Sequence, residues 1–91
     1  MSVTVFVPQP LRVHCDGAAT LELTAPDVRT ALDELSRSHP TLYRGVCDET
    51  NAVRRHINLF VNRDHVRDLD GLATKLKPGD DLVILPAVSG G

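Results

Sequence analysis

Leu82-Val83-Ile84-Leu85 is an unbroken apolar run, stopped by Pro86 and followed by Ala87-Val88-Ser89-Gly90-Gly91. Four apolar residues in a row, two of them β-branched, read as a strand covered on both faces. Pro86 has no backbone donor, so regular pairing ends there. A buried strand needs neighbours, and these have to come from upstream.

Two segments supply them by strict alternation. In residues 3–7, Val3, Val5 and Val7 face one way and Thr4 and Phe6 the other. In residues 57–62, Ile57, Leu59 and Val61 oppose Asn58, Phe60 and Asn62. Period two with β-branched residues is the mark of a half-buried strand. A further strand covers residues 19–24, where Ala19, Leu21 and Leu23 alternate with polar residues. It pairs with the first as a hairpin, after the turn at Asp16-Gly17. Asn62-Arg63-Asp64 turns the chain into a short return strand at His65-Val66-Arg67. Leu69, Leu72 and Leu76 read as a turn of helix under the sheet, and Pro78-Gly79-Asp80 as the turn into the last strand.

The rhythm changes once, at Pro26-Asp27. Val28, Ala31, Leu32 and Leu35 stand at i, i+3, i+4 and i+7, the apolar stripe of a helix lying on a sheet. Asp27 is its N-cap, and Pro40 ends it. Residues 41–56 carry no clear period. There Leu42, Tyr43 and Val46 supply core contacts, and residues 48–51 form an exposed loop. The order β-β-α-β-β-β gives an α+β domain, one mixed sheet with one main helix.

A chain of 91 residues buries only about 60–65% of its unfolded surface, enough for one core without a deep cleft. A net charge of −2 gives no footprint for nucleic acid or an anionic membrane. The chain runs from Met1 straight into strand pattern, and no stretch approaches the ~20 apolar residues of a bilayer span. The expected setting is cytoplasmic, with Cys15 and Cys47 reduced. His14, Cys15, His39, Cys47, His56 and His65 lack metal-ligand spacing, so no metal is expected. No catalytic constellation is present either. Arg54-Arg55-His56 reads as a solvated basic face, with docking to an acidic partner surface as its functional alternative.

The chemistry is expected at the tail. A carboxylate resists nucleophiles until an acyl-adenylate gives it a leaving group; sulfide, a persulfide, a thiol or an amine can then attack. The donor end has to thread into another protein's active site, and glycine, lacking Cβ, fits a narrow channel. Fully extended, residues 87–91 reach at most about 17 Å beyond the sheet.

The run from Leu82 to Gly91 resembles the terminus of the ThiS/MoaD family of ubiquitin-like sulfur carriers, whose members end in hydrophobic–Pro–x–Val–small–Gly–Gly. The similarity extends through Leu72-Ala73-Thr74, Pro78-Gly79-Asp80, the strand end at Val61-Asn62-Arg63-Asp64, the helix of residues 28–35 and the strand of residues 3–7. Within the family it is closest to the cysteine-biosynthetic branch of actinobacteria. The resemblance implies a β-grasp fold over residues 1–86 and a flexible tail over residues 87–91. It implies adenylation of Gly91 by an E1-like enzyme using ATP, which binds the partner and not this chain, and then a Gly91 thiocarboxylate. Sulfur would pass to a synthase that makes cysteine, or a thiolated cofactor or secondary metabolite. The chain would then be a co-substrate and not an enzyme. The small subunit of a molybdopterin synthase and a modifier forming isopeptide bonds are the alternatives. Val88, Ser89 and Gly90 would thread with Gly91; Ser89 replaces a frequent Ala by another small residue.

An activating partner needs a docking patch. Phe6 and Phe60 fall on the strand faces opposite the valines and Ile57, hence on the outer sheet surface. Alternation in the last strand admits either Val83 and Leu85 or Leu82 and Ile84 beside them. Analogy with ubiquitin-like domains favours Val83 and Leu85.

Overall fold

The computed structural model describes residues 2–87. Among these, five strands form one mixed sheet: β1 (Val3–Phe6), β2 (Thr20–Leu23), β3 (Ile57–Val61), β4 (Asp64–His65) and β5 (Asp81–Pro86). Their order is β2-β1-β5-β3-β4, with β1 and β5 parallel at the centre and the other pairs antiparallel. Helix α1 (Val28–Ser38) lies on one face, followed by α2 (Pro40–Val46). This is the β-grasp arrangement.

The core sits between α1, α2 and the inner face of the sheet. Val28, Ala31, Leu32 and Leu35 are all fully buried, so the predicted stripe is the packed one. Opposite them lie Val3, Val5, Ile57, Leu59, Val61, Leu82 and Ile84. The apolar run of β5 is therefore covered by this chain on one face only. Leu82 and Ile84 are buried, whereas Val83 is half-buried and Leu85 is 44% exposed. The expectation of cover on both faces fails because the buried residues of α1 and α2 share one core with Leu82 and Ile84, leaving Val83 and Leu85 on the other face.

The start of α1 is fixed three ways. Asp27 is extended and accepts the Thr30 N–H at 2.8 Å. The Val28 N–H donates to the Thr74 carbonyl, and the Leu76 N–H to that of Pro26. The Thr30 backbone bond, then its side chain, and more weakly Lys75 and Arg29, hold the Asp27 carboxyl below its ordinary value of 3.8. A depressed carboxyl contributes stability that is complete above the unfolded value and lost as pH falls through the folded one. Asp27→Ala is expected to cost about 1 kcal/mol at neutral pH. That gap, measured by urea unfolding, should narrow well below the ordinary aspartate value. A gap of the same size in strong acid would show that the carboxylate charge is not what stabilises this helix end.

Three stretches differ from the sequence reading. The segment after Pro8 is a 3₁₀ helix, Gln9–Cys15, closed by left-handed Asp16 (φ 57°) and Gly17 (φ 81°). Residues 41–56, which show no period, contain α2. Pro40 sits in its first turn, and Leu42, Tyr43 and Val46 are buried as expected. It packs so closely on the 3₁₀ helix that a Cβ on Gly45 would lie 2.9 Å from Leu11 Cδ2. The return strand stops at His65. The ring Nδ1 of His65 accepts the Arg67 N–H at 3.1 Å and caps a 3₁₀ turn, Val66–Asp68, that turns Val66 inward. The leucines after it divide: Leu76 is buried, Leu72 half-buried, and Leu69 41% exposed, outside the core. Cys15 and Cys47 are free and buried, and burial pushes the Cys47 thiol up.

Candidate functional site: the outer sheet face and the tail root

Strand register assembles the site. Phe6 of β1 lies beside Val83 of β5, which lies beside Phe60 of β3. Thr20 of β2 and His65 of β4 complete a row across all five strands. One step toward the end of β5, Leu85 stands beside Asn58. All four residues expected to dock a partner thus share one face, and the choice left open in β5 resolves to Val83 and Leu85. Phe6 is 38% exposed and Phe60 half-buried. An apolar strip on a sheet face that no helix covers is a surface suited to binding.

Polar groups frame this strip. The Phe60 and His65 rings meet edge to face, with centroids 5.0 Å apart. His65 Nε2 is 2.9 Å from Asn58 Oδ1. Since Nδ1 accepts from Arg67, the proton belongs on Nε2, which donates to Asn58. On the other flank the Arg12 Nε donates to the Val7 carbonyl at 3.0 Å. Arg12 borders a shallow cleft of about 420 Å³ floored by Phe6, Pro8, Val83 and Leu85. The sequence reading missed both Arg12 and His65 as parts of this face. His65 was recoverable: a two-residue turn at Asn62-Arg63 pairs Val61 with Asp64, and so Phe60 with His65.

The tail leaves from the same end of the sheet. Pro86 pairs with Ile57, and the Ala87 N–H donates to the His56 carbonyl, so the chain is held to β3 up to that point. Val88, Ser89, Gly90 and Gly91, the predicted threading and sulfur-bearing residues, lie outside the described residues. Among the described residues, no three His, Cys, Asp or Glu are grouped to hold a metal ion. No helix there is long and apolar enough to cross a membrane.

Comparison with known proteins gives the family and supports the fold. The ThiS family model matches residues 10–91. The sulfur carrier protein CysO of Mycobacterium tuberculosis is 32% identical over 93 aligned positions, covering 100% of both chains. A chain in the crystal structure of the Amycolatopsis orientalis BexX/CysO complex superposes with a TM-score of 0.87 at 37% identity, covering 98% of this chain and 99% of that one. Small archaeal modifier protein 1 of Haloferax volcanii is 35% identical over 81 positions, covering 89% of this chain and 80% of that protein. Matched by the family model over residues 10–91 and by a sulfur carrier protein along its whole length, this chain belongs to the ThiS family.

Proposed function

We propose that this protein carries sulfur on Gly91 and is activated there by an E1-like adenylating enzyme. A Gly91 carboxylate oxygen attacks the α-phosphorus of ATP, and pyrophosphate leaves. Hydrosulfide then attacks the acyl carbon of the adenylate. The bond from that carbon to the AMP oxygen breaks, AMP departs with the oxygen, and a thiocarboxylate remains. No oxidant or reductant is needed. The carrier binds no cofactor; ATP sits in the partner. The domain of residues 1–86 is the handle that the partner grips, and residues 87–91 are the part it threads. Delivery is to a synthase making cysteine, or a thiolated cofactor or secondary metabolite, in the cytoplasm.

What carries the reading is the full-length likeness to a sulfur carrier protein, aligned through the Gly90-Gly91 end. The row of Phe6, Val83 and Phe60 supplies the grip, and the tail follows it on the same strand, β5. The test is incubation with an E1-like enzyme, ATP and sulfide, followed by intact mass. One oxygen replaced by one sulfur is the expected increment. An unchanged mass, with an enzyme that loads another carrier under the same conditions, would rule the reading out.

The likeness to a small archaeal modifier favours a second reading, in which a lysine amine replaces hydrosulfide as the attacking group. Its product would be an isopeptide, seen as a Gly-Gly remnant on lysines of other proteins.

A further inference from the structure

Beside the tail root, across β3 from Pro86, lies a second cleft of about 410 Å³. Its apolar lining includes Ile57, Leu59, Val66 and Leu72, and Arg54, Arg55 and Arg67 stand around it; no Asp or Glu does. Arg55 comes from the Arg54-Arg55-His56 cluster. Arg67 comes from the 3₁₀ turn after β4 and is brought there only by the fold. Cations on a low-dielectric wall hold a stronger field than the same charges spread over water.

The three arginines are not equivalent. The Nε of Arg54 donates to the Arg44 carbonyl at 2.8 Å. Its charge also acts on Asp48, whose carboxyl is held low first by the Thr50 hydroxyl, then by backbone bonds and weakly by Arg54. Arg55 and Arg67 are exposed, and their guanidinium groups make no ion pair or hydrogen bond among the described residues. Asp68, next in sequence to Arg67, lines a different surface with Lys75 and Lys77. The chain as a whole has a net charge of −2, so this cationic end runs against the overall balance.

We infer that this cleft seats an acidic segment of the activating enzyme, its carboxylates meeting Arg55 and Arg67 and an apolar side chain resting on the half-buried Val53 and Leu72. This rests on the proposed carrier function and adds the chemistry of the partner surface beside the tail. It adjoins the outer-face row through His65 and Asn58, which also line the cleft, and extends the contact to a cationic flank. Its position one strand from Pro86 makes it continuous with any interface that grips the tail.

The test is steady-state adenylation of wild type, R55E/R67E and K75E/K77E, the last pair being exposed cations lining a different surface. At an ionic strength of about 0.01 M, where screening extends over about 30 Å, R55E/R67E should raise KM for the carrier about tenfold or more. Its kcat should be unchanged, and K75E/K77E should match wild type. Raising ionic strength to about 0.15 M, where the screening length is about 8 Å, should raise the wild-type KM and close most of the gap. Three outcomes would overturn the inference while carrier function stands. In the first, the wild-type protein is loaded and R55E/R67E has the same KM. In the second, K75E/K77E weakens binding equally, which makes the effect one of net charge. In the third, R55E/R67E abolishes self-association and leaves KM alone, assigning the cleft to a second copy of this chain. A wild-type chain that the enzyme never adenylates removes both the function and this inference.

Discussion

Adding one alanine after Gly91 is expected to lower thiocarboxylate formation by about 100-fold or more while leaving the unfolding temperature unchanged. The reacting group in the proposed mechanism is an α-carboxylate delivered at the end of a chain of fixed reach. One more residue moves that carboxylate by about 3.3–3.6 Å and puts a Cβ where the terminal glycine had none. A misplacement of about 1 Å costs about 100-fold when a reaction depends on held geometry. The appended residue lies beyond the core and, among the described residues, beyond the last backbone bond of this end, from the Ala87 N–H to the His56 carbonyl. Folding should therefore not register it. Intact mass reads both the loading and the integrity of the appended end. An alanine-extended chain that is loaded as fast as wild type would show that the reacting group is not the Gly91 carboxylate.

The parts of this fold that were legible in the sequence are those where one face differs chemically from the other. β1 and β3 alternate, and their valines, Ile57 and Leu59 are the buried set. α1 repeats its apolar residues at helical spacing, and those residues are the ones buried. Where the contrast disappears, so does the signal. Leu82 to Leu85 are all apolar, so the run shows a strand but not which residues face the core. Only pairing with β1 and β3 puts Val83 between the two phenylalanines. α2 is too short to show a period, and the 3₁₀ helix Gln9–Cys15 has none. The basic cleft was half visible, because Arg54-Arg55 is a sequence cluster and Arg67 joins it only through the turn that His65 caps. The tail chemistry was visible through family resemblance and not through pattern, since a Gly-Gly end has no period.

Val83→Arg is expected to weaken binding to the activating enzyme by about 30-fold or more with little change in stability, and its neighbour Leu82→Ala should do the reverse. The two residues are adjacent in β5 and point to opposite faces. Leu82 is fully buried in the core, so truncation leaves a cavity and costs about 2–5 kcal/mol. Val83 sits between Phe6 and Phe60, at the centre of the uncovered row. Central, desolvated interface positions cost about 2–4 kcal/mol when disrupted, and each 1.4 kcal/mol is about tenfold in affinity. An arginine there would bring a charge into a contact that has to exclude water. In the free protein its stem can lie over the phenylalanine rings with the guanidinium in solvent, so folding loses no more than the roughly 1 kcal/mol spanned by strand preferences. Calorimetric binding and thermal unfolding on both variants separate the two roles. A folded Val83→Arg protein that binds with wild-type affinity would take the outer face out of the interface and leave recognition to the tail and its cationic flank.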